Sequence, residues 1–285
     1  MAKIPVRPIR TPQKASDFSR GFTIREIQVK LRGQDLVEDL HRHDHFFLLV
    51  LDKGKGTHAI DLIPHRVSNH TIFLLRPGQV HQLTLQSTSI GYLVKFKPGF
   101  HHAAGKAFHQ LVREVSRINH YQLDEAAFRK LRPLFATLLQ EYTDKQEGYE
   151  EVITSTLSIL LIALKRQHHK LLPEHGSAHS QERFEKLESL LETHITTHKQ
   201  VSQYADMLHL SPYQLNAITK AAVNKTCSEL INDQIILESK RQILATSDQI
   251  SHIAHDLGYD DTSYFIRLFK KHTGYSPEAF RQKFK

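Results

Sequence analysis

Apolar positions change period along this chain, and the change divides it. Between Phe22 and Phe96 they fall in short continuous or alternating runs at 22–30, 46–51 (FFLLVL), 57–63, 71–75, 82–86 and 90–96, broken by Lys53-Gly54-Lys55-Gly56 and Arg76-Pro77-Gly78-Gln79. Runs of that length, separated by glycine and proline at roughly ten-residue spacing, predict the strands of a small barrel or sandwich. From 105 to 172 the spacing becomes i, i+3, i+4: Phe108, Leu111, Val112 and Val115, then Phe128, Leu131, Phe135 and Leu138, then Ile153, Leu157, Leu160, Leu161 and Leu164. That is the period of amphipathic helices, which are suited to cover the sheet and to pair with a second copy. Residues 167–181 (QHHKLLPEHGSAHSQ) then collect Pro, Gly, Ser and His, and a linker is placed at 173–181.

Beyond the linker the period stays helical to the end. Phe184, Leu187, Leu190 and Leu191 share one face of a helix over 183–195. Ile250, Ile253, Ala254 and Leu257 share another, which Gly258 stops in the left-handed conformation that glycine tolerates. Asp261 and Ser263 offer oxygens to the free N–H groups of a following helix that buries Phe265, Leu268 and Phe269 and leaves Tyr264, Arg267, Lys270 and Lys271 outside. Gly274 ends it, and Ser276-Pro277 opens a last helix. Two short helices meeting at a glycine turn make a helix-turn-helix, whose second helix fits a DNA major groove.

The unit occurs twice. Val201, Ala205 and Leu208 stand 49 positions before Ile250, Ala254 and Leu257, whereas Ser211, Leu215, Ile218 and Lys220 stand 50 before Asp261, Phe265, Leu268 and Lys270. The one-residue slip lies in the turn, as an internal duplication allows. Thr226-x-x-Glu229 is a capping-box pattern opening a helix over 227–246, about 30 Å long, near the 34 Å repeat of B-DNA. Two recognition helices could thus enter successive major grooves on one face.

The string Ala254-x-x-Leu257-Gly258-Tyr259-x-Asp261-x-Ser263-Tyr264-Phe265-x-Arg267-x-Phe269-Lys270-Lys271-x-x-Gly274-x-Ser276-Pro277-x-x-Phe280-Arg281 resembles the signature of AraC/XylS-type transcription regulators. His41-Arg42-His43-Asp44-His45, the Lys-Gly-Lys-Gly turn and Pro77-Gly78-Gln79-Val80-His81 resemble the two segments of the cupin barrel that many such regulators carry as a sensor. The resemblance implies an α+β multidomain protein: an arm at 1–20, a cupin-like effector-sensing β-barrel at 21–100, a helical dimerisation or cover segment at 101–172, and an all-α double helix-turn-helix domain at 182–285. The units within that last domain are expected at about 200–222 and 249–272. DNA contacts are expected from Pro212, Tyr213, Gln214, Asn216 and Lys220 in the first unit and from Thr262, Ser263, Tyr264, Arg267, Lys270, Lys271 and Arg281 in the second. Ala217 stands where the second unit has Arg267, and a methyl group cannot make a bidentate guanine contact.

Composition narrows the alternatives. The 285 residues, 40% apolar, can fill two cores. One cysteine, Cys227, excludes a disulfide framework and a cysteine zinc finger and suits a reducing cytosol. No long apolar run predicts a membrane span, so a cytoplasmic, nucleoid-associated protein is expected. The formal charge of +8 suits an anionic partner, yet residues 181–285 carry as many acidic as basic side chains, so the DNA reading rests on motif and local charge.

Seven of the 21 histidines lie between His41 and His81, which raises a metal site built from His43 and His81 with His41 or His45. Phe46 to Val50 occupy the stretch where metal cupins place a glutamate, so His41, His43, His45 and His81 are read instead as lining an effector pocket, with no metal and no cofactor. The expected function is a sequence-specific transcription regulator answering to an unknown small-molecule effector. Its expected partners are promoter DNA, RNA polymerase and a second copy of the chain, and no membrane. The alternative is a metal-dependent cupin enzyme fused to a DNA-binding module.

Overall fold

A computed structural model describes residues 5–9, 18, 21–100, 105–171 and 178–284, and the chain divides into two compact units that meet in sequence near residue 172. Most of the arm at 1–20 and residues 172–177 lie outside the described residues.

Among the described residues ten strands build the N-terminal unit: β1 (Val6–Arg7), β2 (Phe22–Glu26), β3 (Leu36–His43), β4 (Phe46–Lys53), β5 (Gly56–Ile60), β6 (Ile63–Val67), β7 (Thr71–Leu75), β8 (Val80–Leu85), β9 (Ile90–Phe96) and β10 (His120–Gln122). They form two five-stranded sheets, ordered β1-β3-β8-β5-β6 and β10-β7-β4-β9-β2. From β3 to β9 the chain passes repeatedly from one sheet to the other, and apart from the parallel β1–β3 edge all pairs are antiparallel. This is a cupin-like two-sheet roll.

The FFLLVL run explains the layering. β4 lies between β7 and β9 with Phe47, Leu49 and Leu51 facing one way and Leu48 and Val50 the other, and all five are buried. The first set meets Ile60, Val67, Leu83 and Leu85 of the opposite sheet. The second packs under three helices, α2 (Gly105–Val115), α3 (Glu125–Asp144) and α4 (Tyr149–Leu171), through Phe108, Val112, Phe135, Leu138, Leu157 and Leu161. A strand covered on both faces has no polar face to keep, hence the unbroken apolar run.

The strand reading of 22–30 is corrected at Glu26. A short helix, α1 (Ile27–Leu31), follows β2 and buries Ile27 and Leu31, an i, i+4 pair, before Arg32 and Gly33 turn it with positive φ. The run 57–63 is likewise a hairpin. Asp61 and Leu62 both take positive φ between β5 and β6, the geometry of a type I′ turn without its usual Asn-Gly.

The C-terminal unit is all helical: α5 (Ala178–His194), α6 (Val201–Met207), α7 (Pro212–Val223), α8 (Cys227–Ala245), α9 (Ile250–Asp256), α10 (Thr262–Thr273) and α11 (Pro277–Phe284). The duplication is visible element by element, since α6 and α9 each have 7 residues and α7 and α10 each have 12. The turns also match. Leu210 N–H donates to Ala205 O and Tyr259 N–H to Ala254 O, both at 2.9 Å, around a left-handed residue, His209 (φ 54°) or Gly258 (φ 74°). Glycine is required at the second site because a Cβ there would lie 2.0 Å from the Thr196 carbonyl oxygen. Thr226 and Glu229 close the capping box that starts α8, each accepting the other's backbone N–H. Buried Leu187, Leu191, Tyr204, Leu215, Ile231 and Ile235 form the core around the first unit, and Phe265, Phe269 and Phe280 fill that around the second.

Candidate functional site

The outer faces of α7 and α10 are held by their N-terminal caps. Ser211 and Gln214 exchange backbone N–H groups across the first turn of α7, and the Asp261 carboxylate accepts from Ser263 and Tyr264 N–H at the start of α10. Burying Leu215 and Thr219 on α7, and Phe265 and Phe269 on α10, turns the intervening positions outward. Pro212, Tyr213 (84% exposed), Ala217 and Lys220 are exposed on the first helix; Ser263, Tyr264, Arg267, Lys270 and Lys271 are exposed on the second, with Thr262 half-buried at its start. Arg267 leans toward Asp261 at 3.9 Å, both side chains well exposed, a pairing that water screens and a DNA phosphate or guanine edge can displace.

Three expected DNA contacts are placed otherwise. Arg281 is corrected outright: 4% exposed, it donates from Nε to Ile243 O at 3.1 Å and from Nη2 to Asp248 O at 2.7 Å, and lies 3.7 Å from Glu278. Its guanidinium closes the C-terminal end of α8, where carbonyls lack helical partners, and does not reach outward. Asn216 is half-buried and its Oδ1 accepts the Cys227 N–H at 2.9 Å, fixing the start of α8 to α7. Gln214 is exposed, but its Oε1 is taken by Ser211 N–H.

In the N-terminal unit β3 carries His41 and His43, the turn after it His45, β5 His58 and β8 His81, and all five are buried. The β3–β8 register sets His41 opposite His81. His58 Nε2 lies 2.8 Å from His81 Nδ1, and His81 Nε2 lies 2.9 Å from His43 Nε2. On the outer side, Nδ1 of His41, His43 and His45 meets Asp39 O, Arg7 O and Asp44 Oδ1 at 2.7, 3.0 and 2.8 Å. Phe47 stacks on His43 with ring planes 6° apart. Desolvation pushes His43 down to about 2, His58 to about 3 and His45 to about 4, so the cluster is neutral at physiological pH.

Around the cluster sit Arg7, Lys30 and Lys95 with two acids, Asp44 against His45 and Glu38, which pairs with Lys30 at 2.7 Å and Arg7 at 3.0 Å. Burial, with Arg25 and Lys30 nearby, lowers the Lys95 ammonium to about 8. The structure thus brings the four expected pocket histidines together and adds His58, whose place in an alternating strand was the available signal, and Arg7. The arm residue enters through its carbonyl in the β1 edge, which no side-chain pattern announces.

The family models that match are the AraC-like ligand binding domain over residues 31–161 and a helix-turn-helix domain over 204–283. The chain is 25% identical over 250 residues to the HTH-type transcriptional activator RhaS of Escherichia fergusonii, covering 85% of this chain and 87% of that protein. It is 22% identical over 271 residues to RhaS of Shigella dysenteriae, covering 93% and 94%. A solved structure of ToxT from Vibrio cholerae aligns over 93% of this chain and 99% of that one at 14% identity and a TM-score of 0.44, too distant to bear on the site. No helix among the described residues is long and apolar enough to cross a membrane. With both halves matched by family models, and two helix-turn-helix units present element for element, the chain belongs to the AraC family of transcription regulators.

Proposed function

We propose that this protein is a promoter-binding transcription activator whose DNA occupancy is set by a small molecule held in the N-terminal roll, in the cytoplasm, without enzymatic turnover. The observation that carries the reading is the pair of helix-turn-helix units of equal element lengths, joined by the 19-residue α8, each leaving a polar or basic outer face on its second helix. At 1.5 Å per residue α8 spans about 28 Å, enough to set two recognition helices one groove apart. Lys220, Lys270 and Lys271 supply phosphate contacts, so affinity falls with salt. Arg267 supplies a base-edge or phosphate contact that Ala217 cannot.

Competition titration of the full chain on a randomised operator library tests this. Arg267→Ala is expected to weaken binding by roughly 1–3 kcal/mol and to relax preference at one or two base pairs. An unchanged affinity and unchanged base preference would remove the second unit as the principal reader.

Dimerisation belongs to the same reading. Val152, Ile159 and Ile162 are 38%, 55% and 41% exposed along one side of α4, apolar positions that the helix does not bury against its own sheet. A second copy would cover them and present two DNA-binding units to RNA polymerase at a promoter. Ile159→Asp, which keeps the buried face intact, is expected to shift sedimentation from dimer to monomer by at least about tenfold in dissociation constant. Identical sedimentation of the two forms counts against α4 as the interface.

A further inference from the structure

Hydrogen bonds on the outer side of the histidine cluster decide which ring nitrogens are bare on its inner side. A carbonyl oxygen has no proton to give, so the Nδ1 of His41 against Asp39 O and the Nδ1 of His43 against Arg7 O must each carry a hydrogen. Each Nε2 is then a bare lone pair. His45 is set the same way by the Asp44 carboxylate. The lone pair on His43 Nε2 puts the proton of the 2.9 Å contact on His81 Nε2, and His81 Nδ1 accepts from His58 Nε2. His41 Nε2, His45 Nε2 and His58 Nδ1 remain buried with no hydrogen-bond partner. Buried acceptors left bare are costly, and three in one cluster ask for a partner.

We propose that His41, His43 and His81 bind a divalent transition-metal ion of the zinc class through their inward ring nitrogens, and that this ion is the ligand the N-terminal roll senses. The second half of that statement rests on the reading of the roll as the effector-binding half. One ring nitrogen of each residue lies within 4.8 Å of those of the other two. Three nitrogens held by zinc at 2.0–2.1 Å stand about 3.3 Å apart, so side-chain torsions have about 1.5 Å to close at the widest gap. An all-imidazole donor set suits zinc, copper, nickel or ferrous iron and not magnesium or calcium. Nδ1–H to a backbone carbonyl is the outer-side hydrogen bond that orients metal-ligating histidines.

Glu38 is the carboxylate beside the set: its Oε1 is held by Arg7 and Lys30, and its Oε2 lies 4.0 Å from His41 Nε2, next to the triad and outside it. His45, with its ring centroid 4.5 Å from that of His43 and its Nε2 unpartnered, is a further imidazole for the fourth position. Of the three idle lone pairs the ion takes that of His41, His45 can offer a second at the fourth position, and the proton shift below gives His58 Nδ1 a hydrogen. Binding needs no net proton release. The proton on His81 Nε2 is replaced by one on Nδ1 that donates to His58 Nε2, and the His58 proton moves to Nδ1; both rings stay neutral.

The test uses the full, tag-free chain, stripped with a chelator and dialysed against Zn²⁺ or Co²⁺. About one Zn²⁺ per chain is expected by elemental mass spectrometry, with Co²⁺ giving the visible absorption of a four- or five-coordinate site. His81→Gln and His43→Gln are expected to lower metal affinity by at least about tenfold, while His65→Gln, outside the triad, keeps it. X-ray absorption of the unmutated Zn²⁺ form supplies a readout that needs no variant, with imidazole nitrogens expected at about 2.0 Å. Uptake below about a tenth of an equivalent, a water-dominated shell, or equal uptake in His81→Gln overturns the site.

Operator titrations with stripped and loaded chain separate the two readings. A change in occupancy on loading that is lost in His81→Gln supports the ion as the sensed ligand. Metal bound at the triad with no change in occupancy overturns that sensing role and leaves the site standing. Occupancy that answers to another small molecule in a chain taking up no metal overturns the metal assignment alone.

Discussion

Between pH 6.5 and pH 4.5 the metal-free N-terminal unit is expected to lose on the order of 5 kcal/mol of stability. The sign follows from the depressed values of His43, His45 and His58, about 2, 4 and 3 against an ordinary 6.5. In the unfolded chain these rings protonate as the pH falls through 6.5, whereas in the folded chain they stay neutral. The unfolded state therefore binds more protons, and the stability present above pH 6.5 drains away below it. Each ring contributes roughly 2 kcal/mol over those two pH units, at 1.36 kcal/mol per unit, and His41 and His81 are lowered in the same direction. Urea unfolding of the stripped chain, followed through a probe in the roll, measures it. A stability that changes by less than about 1 kcal/mol across the range would mean that the cluster opens to water and charges without unfolding.

Arg281→Ala is expected to destabilise the C-terminal unit by about 2–4 kcal/mol. The substitution strands Ile243 O and Asp248 O, which the guanidinium now satisfies from a nearly fully buried position. Operator binding should fall with the folded fraction. At a temperature where the variant is still folded, the dependence of affinity on salt should match the parent, whereas loss of a phosphate contact would lower that slope by about one. A variant of parental stability with a shallower slope would restore Arg281 to the DNA surface.

Arg281 shows where sequence reading stops. Charge and position in the family-like string mark it as outward, but whether an arginine at a helix end faces solvent or its neighbour's carbonyls depends on the end of α8 and the turn after it, 38 and 33 positions earlier. Asn216 failed the same way, its oxygen committed to an N–H eleven residues on. The helix-turn-helix pair was legible because it is local: caps, apolar faces and the left-handed turn residue all fall within two dozen residues. β4 was legible because burial on both faces writes an unbroken apolar run. β3 was not among the strands read, although it carries His41 and His43, because Glu38 and Asp39 interrupt its alternation and a register shift lies between Glu38 and His41. The histidines could be picked out by their density, but which of their nitrogens are bare depends on carbonyls of Arg7 and Asp39, and backbone acceptors leave no mark in a sequence.

The doubly covered β4 has a consequence for how the protein is made. Phe46 to Leu51 is six consecutive residues of high strand propensity with no charge, proline or glycine, the composition that stacks into cross-β fibres when left exposed. Its two sheet neighbours, β7 and β9, begin 25 and 44 residues later, and the helices that cover its outer face later still. During synthesis, and in any truncation ending before Thr71, the hexamer lacks both sheet neighbours and pairs most readily with another copy of itself. Nonsense or frameshift alleles that stop inside the roll should therefore accumulate as insoluble protein rather than disappear as short soluble peptides.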